Sequence, residues 1–334
     1  QLMSISKRHT IIILVLLLLL PIIALVHLFA GQISIDGNDY FSSLFNYNSS
    51  DSYQIIAREI RIPRMIMAII AGAGLSIAGL LMQTLFNNPL AGPYVLGINS
   101  GASLFVAFSI MTGIPFFTST LGITANALIG AFVFGMIILF FSRFLRSQVS
   151  LLLVGLMLGS FTGALVSLLQ TASQADELKV FTLWALGSLQ KVEFEQILPI
   201  FSVFLIGIIL VAFTSKSLNI LVLGEENARL LGVNIKRSRL FIISLTALFT
   251  GLVTAFCGPI AFIGLAVPNL VRMIFKTQSH LTLLISSALT GAIFILLCDI
   301  CIQLIEPHFM IPINVFTSIV GAPFVVFIIL KKLR

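Results

Sequence analysis

The residues able to do chemistry in this chain are few and scattered. A carboxylate deep in a span would mark a proton or ion relay; the candidate is Asp299, near the outer end of an apolar run. Its neighbours Cys298 and Cys301 have CxxC spacing. A metal or redox site needs polar access and usually more ligands, so these two, with Cys257, read as small packing residues. His9, His27, His280 and His308 lie near the ends of apolar runs or in a loop, and read as interfacial. No GxxxxGK[ST], HExxH or GxSxG pattern occurs. The chain therefore carries no phosphate cradle, zinc-protease pair or nucleophile elbow of its own. No catalytic constellation and no metal site emerges.

The elements that would hold these residues are apolar spans. Of 334 residues, 58% are hydrophobic and 9% charged, where a soluble domain carries about 25% charged residues. A span takes about 20 apolar residues. Runs recur near 11–29, 63–85, 94–113, 120–142, 150–171, 196–214, 239–257, 259–275, 281–302 and 314–330. They predict an all-α integral membrane protein of about ten transmembrane helices, forming a single domain over 1–334.

The net charge of +7 comes from 19 Lys+Arg against 12 Asp+Glu. With the N-terminus inside, 14 of the 19 basic residues fall in inner loops or tails and 5 outside. The positive-inside rule accounts for this, leaving no reason to invoke nucleic acid. The expected location is a bacterial cytoplasmic (inner) membrane, with both termini cytoplasmic. The inner set includes Arg143, Arg146, Lys216, Arg237, Arg272, Lys331, Lys332 and Arg334.

Three loops stand out. The outer stretch 32–61 is polar. A second outer stretch, 172–195, holds the only tryptophan, Trp184, in an amphipathic piece 178–189 that reads as an interfacial helix. The inner loop 215–239 has a helix-compatible centre, 225–231, bracketed by the breakers Gly224 and Gly232. A short helix fixed between two spans suits transmission of force from a partner.

Small residues cluster in Ala71–Gly79, which permits close helix approach. Gly and Pro interrupt the chain near 87–97 and again over 258–268. An interruption in each half points to repeats of about 61–172 and 237–331, and an offset of five spans would make them inverted. An ion-coupled secondary transporter with inverted repeats is the alternative that this pattern allows, and it needs buried acids, of which Asp299 is the candidate.

Taken in order, the motifs resemble one family. They are Arg61-Ile-Pro-Arg64, Ala71-Gly-Ala-Gly, Gly79-Leu-Leu-Met-Gln83, Asn88-Pro-Leu-Ala-Gly-Pro93 and Leu96-Gly-Ile-Asn-Ser-Gly-Ala102. Later come Leu223-Gly-Glu-Glu-Asn-Ala-Arg-Leu-Leu-Gly232, Gly258-Pro-Ile-Ala-Phe-Ile-Gly-Leu265 with Pro268 and Arg272, and Gly321-Ala-Pro-Phe324. This resembles the permease subunit of bacterial ABC importers for iron-siderophores, haem and vitamin B12. The resemblance implies a ten-helix permease, dimerising with a second copy or a related permease. Two cytoplasmic ATPases would carry ATP and Mg, and a substrate-binding protein would dock outside. This chain would bind no cofactor itself.

The same resemblance assigns residues. Gly224, Glu225, Glu226, Ala228, Arg229, Leu231 and Gly232 match the coupling segment that seats in an ATPase groove. Arg61 and Arg64 match outer arginines that meet acidic residues of the binding protein, while Arg58 reads as a snorkelling interfacial residue. Gln148 and Val149 align with a cytoplasmic gate, and Gly155, Gly159, Ser160 and Asn314 with the path-lining fifth and tenth helices. Four positions depart from the family pattern: Asn269 stands where a histidine is usual, Gln303 where an arginine is, and Met310 and Asn314 where the glutamate and glycine of a Glu-x-Pro-x-Gly motif are. The loss of an arginine at Gln303 would leave docking to the first-half arginines, or to Lys179 and Lys191.

Overall fold

Helix-forming apolar stretches become a closed bundle here because small residues let their backbones touch. The computed structural model describes residues 2–94, 97–112, 119–145, 148–306 and 311–333. Leu96, Arg146, His308, Met310 and Arg334 lie outside them, as do the side chains of Gln148, Glu225, Lys331 and Lys332.

The chain opens with α1 (Leu2–Phe29), then α2 (Gly37–Phe45) and α3 (Ser52–Ile55). A π-helical segment, Ile56–Arg61, leads without a break into α4 (Ile62–Leu85). Pro63 lies where the π-helical turn passes into α4; a proline has no N–H to give to the preceding turn, and the wider π turn sits at that point. Then follow α5 (Ile98–Met111), α6 (Thr120–Phe144), α7 (Gln148–Ala172), α8 (Ala175–Ala185) and α9 (Phe194–Leu221). The remainder is α10 (Glu225–Leu230), α11 (Ile235–Cys257), α12 (Ile263–Phe275), α13 (His280–Ile305) and α14 (Ile313–Leu333).

Seven of these helical stretches are long and apolar enough to cross a membrane, and α5, α12 and α14 add three shorter apolar helices. The expected runs at 94–113 and 259–275 are longer than α5 and α12 because the backbone turns left-handed before each one. Gly97 has φ +75° ahead of α5; Gly258 at +74° and Phe262 at +67° precede α12. The freed backbone before α12 is not left bare: the Asn314 side chain accepts a hydrogen bond from Ala261 N at 3.0 Å, as buried irregular backbone requires.

Helices α4 and α11 pack on each other at the centre. Around them, α4 lies on α13 as α11 lies on α6; α12 lies on α4 as α5 lies on α11; α14 lies on α12 as α7 lies on α5. Exchanging α4–α7 with α11–α14 thus maps each pairing onto another, as two repeats offset by five spans would.

The closest crossings use glycine. A side-chain carbon on Gly72 would overlap the Gly291 carbonyl of α13, and one on Gly79 would overlap the Gly264 carbonyl of α12. In α5 and α6, Gly101 and Gly130 meet in the same way. The packing role read from Ala71–Gly79 is what the helix performs. By contrast α1, α7 and α9 keep most of their apolar surface exposed, facing lipid or a partner.

Candidate functional site

The first cluster is polar, buried and at the end of the bundle opposite α10. The first turn of α4 carries Arg64, the last turns of α13 carry Asp299, and the end of α1 carries His27. Arg64 grips Asp299 with two parallel bonds, Nε to Oδ2 at 2.7 Å and Nη2 to Oδ1 at 2.9 Å. This planar fork suits a carboxylate better than any other cation could. His27 Nε2 lies 2.6 Å from the same Oδ2. Gln303 Nε2 lies 3.2 Å from Asp299 Oδ2 and 3.0 Å from His27 Nε2.

The network continues outward. Arg64 Nη1 donates to Glu306 Oε2 at 3.3 Å, and Gln190 Nε2 donates to Glu306 Oε1 at 3.0 Å. One set of bonds thus ties α1, α4, α13 and the segment after α8. Beside it, Arg61 donates to Leu28 O at 2.9 Å, to Tyr40 Oη at 3.1 Å and to Ile33 O. Burial raises the Tyr40 phenol above its ordinary pKa, against the opposing pull of Arg61, so Tyr40 keeps its proton and donates it to Leu28 O.

These positions correct three expectations. Arg61 and Arg64 do not stand on the rim, being 8% and 7% exposed with intramolecular partners. His27 is not interfacial; it is buried in the cluster. Asp299 has a permanent cation beside it, which removes the ground for reading it as an ion relay. The exposed basic groups at this end are Lys179 and Lys191, while Arg58 stacks over Tyr47 and Phe194 at 4.3 and 4.6 Å. Trp184 is buried rather than interfacial. Its helix, capped by Gln174 and Glu177, abuts Gly258 at the break before α12.

At the other end, His280 is buried as well, not interfacial. It lies 3.0 Å from Thr84 Oγ1 and 2.9 Å from Asn219 Oδ1. Arg272 joins this group through Thr84 at 3.2 Å, and His9 reaches Phe275 O at 2.6 Å.

The second site is α10. Gly224 and Gly232, at φ +94° and +83°, bracket it, a conformation that only glycine adopts without strain. Among its described side chains the buried one is Ala228, at 0% exposure. Val233 N returns to Ala228 O at 2.9 Å, and Asn234 caps α11 by accepting from Arg237 N at 3.1 Å. The helix is therefore held rigidly at its root. Its outer surface presents Leu230 at 86% and Leu231 at 60% exposure, beside Glu226 and Arg229. Exposed leucines on a polar loop helix gain nothing in water. The sequence reading named Leu231 but passed over Leu230.

The path candidates separate. Gly155 and Gly159 border the turn at Gly97, whose added side-chain carbon would lie 3.2 Å from Gly155 O. Gly159 also lines a cavity of about 150 Å³ with mixed walls, among them Asn99, Ser103, Thr162 and Val166. Ser160 and Val149 are exposed on the outer face of α7. Asn314 turns inward to the backbone near α12 and braces the chain there.

Comparison with known proteins decides what such a bundle is. The family model described as the FecCD transport family matches residues 16–331. The chain belongs to the FecCD transport family. It is 35% identical to the hemin transport system permease protein HmuU of Yersinia pestis, over 95% of this chain and 94% of that one. It is 33% identical to the vitamin B12 import system permease protein BtuC of Photorhabdus laumondii, over 99% and 96%. Among solved structures, an inward-facing metal-chelate type ABC transporter superposes with a TM-score of 0.85 at 30% identity, covering 96% of this chain and 99% of that one.

As a FecCD chain, this is a multi-pass membrane transport permease. Two of its departures from the family pattern have a local account. Asn269 donates to Pro89 O and Leu265 O, both at 2.8 Å, holding the 86–94 turn to α12. Gln303 completes the Asp299 cluster.

Proposed function

We propose that this FecCD chain is the permease subunit of an ATP-driven importer that takes an iron-siderophore, haem or corrinoid from a binding protein into the cytoplasm. The observation that carries this reading is α10, a rigidly rooted helix that offers exposed leucines where the chain has no nucleotide site of its own. Two ATPase subunits, holding ATP and Mg, seat α10 and its glycine-bracketed ends in their grooves. On this reading α10 and both termini are cytoplasmic, in a bacterial inner membrane.

The permease works as a pair, with a second copy of this chain as partner. Helices α7 and α14 line the path between them, and Gln148 and Val149 close it on the cytoplasmic side. ATP closure moves α10, and the pair reorients by differential binding between states. The binding protein docks at the end opposite α10. There Lys179 and Lys191 make the first charge contacts, steering more than holding. Arg61 and Arg64 lie behind them as the frame of the docking surface. The cargo class follows the relatives named for hemin and vitamin B12 and the neighbour named for metal chelates.

The test is at α10. Leu230→Asp with Leu231→Asp alters exposed side chains and leaves the core intact. Removing apolar anchors from a docking helix costs about 2 kcal/mol or more, so ATPase co-purification should fall at least tenfold while the permease keeps its melting temperature. Glu225→Lys with Glu226→Lys should do the same through charge. Undiminished ATPase binding by both double variants would overturn the coupling assignment.

A further inference from the structure

Between α9 and α11, at the end of the bundle that carries α10, lies a cavity of about 250 Å³. Ser217, Arg237 and Ser238 form its polar side. Among the described residues, Arg237 has no ion pair and its guanidinium no hydrogen bond, and neither serine hydroxyl has a partner. Thr214 also lines the cavity, but its hydroxyl is already bonded to Val211 O at 2.6 Å. The rest of its lining is apolar, made by Phe213, Phe241 and Ile242, one turn along the same two helices. Phe213 is 77% and Phe241 39% exposed on the flank of the bundle.

This combination is that of an amphiphile's binding site. A guanidinium beside two hydroxyl donors matches the oxygens of a phosphodiester. Exposed aromatic rings next to it match the glycerol and acyl chains at the membrane boundary. The apolar run of α9 ends at this level, and Lys216 and Lys236 add positive charge on the two helices nearby. Basic pockets between spans take anionic headgroups on the same physical grounds.

We infer that the cavity between α9 and α11 binds the phosphate of an anionic phospholipid, with Arg237 as the anion contact and Phe213 and Phe241 as the acyl contact. Both walls are the helices that carry α10, which packs on each of them. An occupied cavity braces the root of α10 from the membrane side. The inference stands on the cavity's own residues and does not depend on what docks against α10.

The test uses the full chain, delipidated in detergent and titrated with phosphatidylglycerol or phosphatidylcholine of the same acyl chains, with bound lipid counted by native mass spectrometry. Phosphatidylglycerol should bind about fivefold more tightly than phosphatidylcholine, the effect of one well-placed basic residue. Arg237→Gln should bring the two lipids level, and Arg237→Lys should restore the preference. Phe213→Ser should weaken both lipids. Lys236→Gln, at an exposed neighbour outside the cavity, should weaken phosphatidylglycerol less than Arg237→Gln does and leave it preferred over phosphatidylcholine. Equal binding of the two lipids, or an unaltered preference in Arg237→Gln, would overturn the site. Loss of preference in Lys236→Gln equal to that in Arg237→Gln would reduce it to diffuse surface charge, against the inference. Inorganic phosphate that displaces phosphatidylglycerol at millimolar level, with Phe213→Ser silent, would assign the cavity to free phosphate and reject the lipid.

Discussion

Asp299→Asn should be among the most destabilising single substitutions in this protein. It deletes the charge that the Arg64 fork holds at 2.7 and 2.9 Å, and leaves a buried guanidinium facing a neutral amide. Breaking a buried ion pair by removing one partner costs about 3–5 kcal/mol, because the remaining charge is uncompensated. Glu306, at 3.3 Å and more exposed, offsets only part of that. Thermal unfolding of the solubilised chain measures it. The double variant Arg64→Met with Asp299→Leu should recover part of the loss, since it strands no buried guanidinium but still takes the shared acceptor from His27 and Gln303. If the double variant were as unstable as the single, the lost bonds of His27 and Gln303, not the uncompensated Arg64 charge, would account for the effect.

The second large effect is steric. Gly79→Val places two methyl groups where the Gly264 backbone runs, and neither helix can yield locally because the obstacle is main chain. Overpacking a core against side chains costs about 1–3 kcal/mol; a backbone clash at a helix crossing should cost more than that upper figure. Gly74→Ala on the same helix is the control. Its added carbon would meet Phe249 and Phe204 at 3.4 and 3.6 Å, ordinary contact distances, so it should fold normally. Expression and melting temperature of the two variants distinguish a crossing that demands glycine from one that merely contains it. Equal tolerance of both would refute the close α4–α12 approach.

These two sites also mark what can be read from sequence. Gly72 and Gly79 announce themselves, because small residues at helical spacing have few other uses in an apolar helix. Gly224 and Gly232 are equally plain as breakers around a polar segment, and α10 forms between them. The breaks near Gly97 and Gly258 were visible as interruptions, though not that Asn314 would brace one of them. The charge cluster was hidden. Arg64 and Asp299 are 235 residues apart, and His27 and Asp299 are 272 apart. No local pattern states that such residues meet. An arginine at the end of a span has the same sequence signature whether it snorkels, docks or pairs inward, so Arg61 and Arg64 read as outward residues. His27 and His280 were misplaced for the same reason: proximity to a span end suggests water, and only the packing of α1 and α4 on α13 around His27, and of α4 and α9 on α13 around His280, removes it. Leu230 was missed because one more leucine is unremarkable in so apolar a chain. Only its exposure singles it out.

Native mass spectrometry of the complex, gently solubilised from its own membrane, decides whether α10 seats an ATPase and whether the chain is half of a permease pair. An assembly of two copies of this chain with two ATPase subunits is expected, with loss of the ATPases alone in the Leu230→Asp, Leu231→Asp variant. A lone chain that never retains an ATPase, yet moves its cargo into sealed vesicles on an ion gradient without ATP, would contradict this assignment.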